Sequence, residues 1–155
     1  MQVDYIIVGQ GICGTWLSFY LLRENKTVFV IDDAKPDTAS KVASGIVNPV
    51  TGRRVVATWM IDELLPFVFE EYNAFAKEIN QNIIEQKNLI AFPAAADLRD
   101  AYKKRMDEQN SFIKNISAEK QETQKQFFNF IFECFEINPV YLIRSEEHTS
   151  ELQSP

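Results

Sequence analysis

Three glycines and one acid are the residues whose spacing could do chemistry. Gly9, Gly11 and Gly14 stand in the run Gly9-Gln10-Gly11-Ile12-Cys13-Gly14, directly after the apolar run Tyr5–Val8. Gly9 allows a tight turn. Gly11 lets the backbone approach a pyrophosphate with no Cβ in the way, and Gly14 permits close packing of a helix on a strand. Asp32, with Asp33 beside it, closes a second β-rich run over residues 27–31. A carboxylate there can accept two hydrogen bonds from a ribose diol. Phosphate contact followed by ribose contact is nucleotide-binding chemistry. The plainer alternative is a glycine turn in an unrelated α/β protein.

The elements that must hold these residues are legible around them. An apolar strand is expected over residues 3–8, of the kind that central, buried parallel strands show. A helix follows over residues 12–24, its free N–H groups and positive dipole end aimed at an anion. Trp16, Leu17, Phe19, Tyr20 and Leu21 give it a broad apolar face for packing on a sheet. Asn25-Lys26 makes the return turn. Residues 27–31, Thr-Val-Phe-Val-Ile, are β-branched and aromatic, a second buried strand.

The acid at the end of that strand serves NAD and FAD alike, and it disfavours a 2′-phosphate. The next stretch separates the two. Residues 38–49, Thr-Ala-Ser-Lys-Val-Ala-Ser-Gly-Ile-Val-Asn-Pro, are rich in small and hydroxyl side chains. Small residues let backbone come close to a large flat ligand, and hydroxyls can bond phosphate or ribitol oxygens. A flexible surface loop is the bland alternative. This segment, the opening unit and the following Asn48-Pro49-Val50-Thr51-Gly52-Arg53-Arg54 together resemble the start of the FAD-dependent amino-acid oxidase family. That family includes D-amino-acid oxidases, glycine oxidases and sarcosine oxidases. The resemblance implies that Ile12 and Cys13 line the pyrophosphate through their backbone N–H groups. It implies that Asp32 holds the adenosine ribose, with Asp33 beside it, and that Ala39 and Ser40 approach the pyrophosphate. Ser44, Gly45 and Ile46 would lie by the ribitol and the flavin ring. The family often has Glu where Asp32 stands, and the shorter acid can play the same part. Arg53 and Arg54 suggest a clamp for a substrate carboxylate, but a solvated or phosphate-adjacent pair explains them better.

Past residue 60 the pattern is core and surface rather than site. Residues 61–80 read as a helix, with Leu64, Leu65, Phe67, Val68, Tyr72, Phe75, Ala76 and Ile79 at spacings of three and four and Pro66 in its first turn. Residues 83–92 read as extended structure stopped by Pro93, either one strand or a hairpin turning near Gln86-Lys87-Asn88, and 94–109 as a helix with a solvated charged face. Residues 117–126 are polar and carry no clear period. The Phe-dense run 127–137 reads as a long strand broken before Pro139, with residues 140–143 resuming it. The expected fold class is α/β: a Rossmann-like FAD-binding βαβ start followed by the beginning of an α+β substrate domain, truncated. The expected domains are residues 1–80 for FAD binding and 81–143 for the start of the substrate domain.

Residues 144–155, Arg-Ser-Glu-Glu-His-Thr-Ser-Glu-Leu-Gln-Ser-Pro, change character abruptly. They resemble the in-frame translation of a short-read sequencing adapter, so they are expected to be non-native. The natural chain would then continue past Ile143. The only histidine, His148, lies in this tail. Without the tail 15 basic residues face 19 acidic ones, a net charge of −4 in place of −6.

An acidic balance argues against a nucleic-acid backbone as partner, which requires a basic face. No apolar run approaches the ~20 residues of a membrane span. Cys13 and Cys134 fit no metal or redox spacing, so they read as reduced thiols of a cytoplasmic protein. No metal site and no catalytic residue are expected in this chain. The leading expectation is the N-terminal portion of a FAD-dependent oxidoreductase acting on a small amine or amino acid. The resemblance implies hydride transfer from the substrate Cα to flavin N5, the fragment alone being inactive. A FAD-dependent tRNA-modification oxidase and a nucleotide-binding module without catalysis, for NAD or FAD, are the alternatives.

Overall fold

The computed structural model describes residues 2–108 and 111–144. These divide into two compact units, residues 1–44 and 45–144.

The first unit is a βαβ hairpin of parallel strands. Strand β1 (Tyr5–Val8) runs into helix α1 (Ile12–Arg23), and β2 (Val28–Ile31) returns beside β1. A four-residue helix, α2 (Ala39–Val42), follows. The register pairs Tyr5 with Val28 and Val8 with Ile31. At the far end from the glycines, Asp4 Oδ2 accepts from both the N–H and the hydroxyl of Thr27, each at 2.7 Å. The turn before it is closed by Asn25 at φ 56°, a left-handed conformation that Asn tolerates.

Alternation along the strands sends Ile7 toward α1, where it is buried with Phe19. The opposite face carries Ile6, Val8, Phe29 and Ile31, which remain 62%, 82%, 47% and 48% exposed. Both strands were expected to be buried. A parallel strand is buried only when both of its faces are covered, and here a single helix covers one.

The second unit is an antiparallel sheet with helices. It contains β3 (Ile46–Val47), β4 (Val50–Thr51), β5 (Val56–Ala57), α3 (Ile61–Ile79), β6 (Ile84–Ala91), α4 (Ala96–Asp107), β7 (Ile113–Asn115), α5 (Ala118–Lys125) and β8 (Phe135–Ile143). The order is β3-β8-β6, with β7 also pairing β8, while β4 and β5 form a separate hairpin. Val50, Val55, Ile113, Phe135, Ile137 and Val140 make the core, and Leu98, Ala101, Tyr102 and Met106 of α4 pack on it. The Tyr102 ring stacks on Phe135 with centroids 4.9 Å apart. On α3, Phe69 stacks on Tyr141 at 4.7 Å. The second unit therefore begins before α3.

Three local expectations are corrected, and one stretch left open is assigned. Residues 83–92 are extended, as expected, but form no hairpin: β6 is one strand paired with β8, and its register shifts between Lys87 and Leu89. That shift lies opposite the cis Asn138–Pro139 bond, where proline has no N–H to give the ladder. Second, β8 runs through Pro139 and begins only at Phe135. Residues 127–134 belong to no strand, and Phe127 and Ile131 are exposed. Third, the polar residues 118–125 are helical, with Ser117 Oγ accepting from the Lys120 N–H at the N-cap. Fourth, Pro66 lies in the second turn of α3 rather than the first. Of the tail expected to be non-native, all but Arg144 lies outside the described residues, and so does His148. Among the described residues no helix is long and apolar enough to cross a membrane.

Candidate functional site: the glycine turn and Asp32

The turn from β1 into α1 is built from glycines because two of its positions disfavour any side chain. Gly9 has φ +95°, which an L side chain rarely adopts. A Cβ at Gly14 would lie 2.0 Å from the Gly9 carbonyl oxygen. Gly14 thus lets the first turn of α1 rest on the backbone of the glycine turn. The Gly9 N–H donates to Ile31 O at 2.8 Å, carrying the strand pairing one step past Val8.

Asp32 then ties the end of β2 to this turn. Its Oδ2 accepts from the Gln10 N–H at 2.6 Å, and its Oδ1 accepts from the Ala34 N–H at 2.7 Å. The Gln10 bond, then the Ala34 bond, hold its carboxyl below the usual carboxylate range. Asp32 stays exposed. A carboxylate has about four acceptor positions, so two remain for a diol. The sequence pattern marked Asp32 as a ribose contact but gave no sign of its bond to Gln10. Ala34, at φ 54°, carries no sequence signal for its left-handed conformation.

Ser40 comes to the same place from α2. Its Oγ accepts from the Ile12 N–H at 3.0 Å. It also lies 3.1 Å from where a Gly11 Cβ would stand. The structure therefore brings Gly9, Gly11, Ile12, Gly14, Asp32 and Ser40 together.

The other expected residues behave differently. Cys13, on the first turn of α1, is a free and exposed thiol. Asp33 pairs with Lys35 at 2.7 Å. Ala39 and Ser44 are exposed near the two ends of α2. Gly45 and Ile46 belong to the second unit. There a Cβ on Gly45 would meet Ile143 O at 2.1 Å, and Ile46 pairs with Leu142. The packing of β3 on β8 is thus sufficient cause for a glycine at 45. Arg53 and Arg54 sit in the exposed turn between β4 and β5, where the Arg54 carbonyl accepts from Arg105 Nε at 3.2 Å. Among the described residues no cluster of three His, Cys, Asp or Glu could hold a metal ion.

The turn fits a dinucleotide. A Cβ at Gly9 would meet nothing within 4 Å, so the backbone lies open on that side. The Ile12 N–H heads α1, and the Asp32 carboxylate stands close by on Gln10.

Residues 4–132 match the family model described as "DAO: FAD dependent oxidoreductase". Over 56 residues the chain is 39% identical to the "Uncharacterized oxidoreductase YurR" of Bacillus subtilis (strain 168), which is 36% of this chain and 15% of that protein. The fold is similar to that of iminodiacetate oxidase (IdaA) from Chelativorans sp. BNC1, with a TM-score of 0.56 and 16% identity. That likeness covers 90% of this chain and 40% of the other. The matched part of the chain thus spans less than half the length of either relative.

Proposed function

Because this chain belongs to the DAO family of FAD-dependent oxidoreductases, we propose that the whole protein oxidises a small amine or amino acid. We propose also that the opening βαβ unit holds the ADP half of its FAD. In that reading Gly9, Gly11, Ile12, Cys13 and Gly14 face the pyrophosphate. Asp32, with Asp33 nearby, takes the ribose. Ala39, Ser40, Ser44, Gly45 and Ile46 line the path toward the flavin. Residues 1–80 then serve the cofactor, and 81–143 begin the part that receives substrate. The bond that carries the reading is the 2.6 Å contact from the Gln10 N–H to Asp32, which joins the phosphate-facing turn to the ribose-facing acid.

Bound FAD supplies the two-electron acceptor. What these residues contribute is binding and orientation: N–H groups for the phosphates, an anionic acceptor for the diol, and glycines that keep the approach clear. None of them is assigned to the bond-breaking step, and we propose that the 155 residues alone turn over no substrate. An amine or amino-acid substrate is supported by the family resemblance and by the structural relative, whose name states that it oxidises iminodiacetate. A net charge of −6 speaks for a small molecule over a nucleic acid, and the free thiols Cys13 and Cys134 speak for the cytoplasm.

The test is anaerobic mixing of the purified protein, expressed to its native stop codon, with a panel of amines and amino acids. Bleaching of the flavin absorbance by one class of them supports the reading. A flavin that is reduced only by NADH or NADPH contradicts it.

A further inference from the structure

We infer that the Lys41 ammonium is a further contact for the cofactor, pairing with the phosphates of its ADP half. The inference rests on the proposed FAD site and adds a residue that the glycine pattern does not reach.

A pyrophosphate brings two negative charges to a turn that already holds one. The Asp32 carboxylate is bonded there to the Gln10 N–H at 2.6 Å. The N–H groups at the head of α1 offer only partial positive charge. Like charges gathered at one turn repel, and more strongly where water is displaced. A full positive charge beside the turn offsets this. Residues 1–44 hold four candidates, Arg23, Lys26, Lys35 and Lys41. Arg23 lies in the last turn of α1, its guanidinium over the Phe19 ring. Lys26 acts on Asp4, at the end of β1 far from the glycines. Lys35 pairs with Asp33 at 2.7 Å. Lys41 is left.

Three observations put the Lys41 charge at the turn. Lys41 follows Ser40, whose Oγ accepts from the Ile12 N–H at 3.0 Å, so α2 is joined to the head of α1 one residue earlier. Its Nζ donates to Lys35 O at 2.9 Å, which draws the side chain back toward the end of β2. The Gln10 and Ala34 bonds lower the Asp32 carboxyl, and the Lys41 charge adds to them. An ammonium has three donors, and Lys35 O takes one. Two remain. The ion pairs among the described residues put no carboxylate on Lys41. The residue is exposed, so a ligand reaches the ammonium without displacing a protein partner.

The experiment compares wild type, Lys41→Gln and Lys41→Arg, each expressed to the native stop codon, freed of bound flavin and checked for folding by circular dichroism. FAD, ADP and adenosine are titrated by calorimetry. Adenosine keeps the ribose and lacks the phosphates. Lys41→Gln should weaken FAD and ADP binding by about five-fold, the upper worth of one exposed ion pair. Adenosine should bind Lys41→Gln as it binds wild type. Lys41→Arg, which keeps the charge, should restore both nucleotides. Added salt should weaken ADP binding more in wild type than in Lys41→Gln. ADP binding unchanged in Lys41→Gln overturns the inference, because the phosphates then do not meet this charge. An equal loss for adenosine also overturns it, since Lys41 then acts only by holding the segment through Lys35. A wild type that binds ADP and not FAD sinks the FAD reading alone, and Lys41 is judged on ADP. A wild type that binds neither removes the nucleotide site, and the inference with it.

Discussion

Asp32 accepts the Gln10 N–H at 2.6 Å, so the acid that ends β2 is bonded to the turn that ends β1. The two features that mark a nucleotide site in the sequence are therefore one mechanical unit. A change at either is felt at the other.

Acid should loosen this unit at both ends. Asp4 is held below its usual range by the Thr27 backbone and side-chain bonds, and Asp32 by those from Gln10 and Ala34. A carboxyl depressed on folding adds stability above its unfolded value of ~3.9. That stability is lost as pH falls through the lower folded value. The thermal midpoint should hardly change between pH 7 and about 5, then fall steadily below about 4. Asp4→Asn should flatten the acid limb, which thermal denaturation across that range will show.

The glycines should separate by cause. Gly14→Ala puts a Cβ 2.0 Å from the Gly9 carbonyl oxygen, backbone against side chain with no flexible end to yield. A loss of about 3 kcal/mol or failure to fold is expected. Gly9→Ala meets no atom within 4 Å and bears only the strain of its positive φ, about 1–2 kcal/mol. Urea denaturation of the two variants measures the order.

The core of the second unit should be most sensitive at Phe135, which is fully buried and stacked on Tyr102. Phe135→Ala should remove roughly 3–5 kcal/mol. Phe127→Ala, at a side chain 73% exposed, should stay within about 0.5 kcal/mol. Denaturant midpoints distinguish them.

The bare sheet face should make these 155 residues associate. Ile6, Val8, Phe29 and Ile31 form an apolar surface on a strand pair whose β1 edge is open among the described residues. Exposed faces and edges of this kind pair with other chains. Light scattering should rise with concentration, and Val8→Thr combined with Phe29→Thr should reduce it. Unchanged scattering in the double variant would place the sticky surface elsewhere.

The βαβ unit was legible because its signals are local. Glycines at fixed offsets, a β-branched strand and a terminal acid each constrain their own neighbourhood. What was hidden depends on distant partners. Gln86 and Asn88 look like turn residues in one dimension, but they bond across the sheet to Asn138 and Glu136. The Phe-rich run before Phe135 has the composition of a strand and no neighbour to pair with. Helix α5 is polar all round, so only the Ser117 cap announces it. The bond between Ile12 and Ser40 joins a motif to a loop that no spacing rule connects.

If the opening unit holds FAD through Asp32, titrating FAD and NAD into the protein expressed to its native stop codon, as wild type and as Asp32→Asn, will show it. FAD should bind far more tightly than NAD, and Asp32→Asn should lose about ten-fold of that affinity while keeping its fold. Tight NAD binding without FAD, or FAD affinity indifferent to Asp32→Asn, would contradict it.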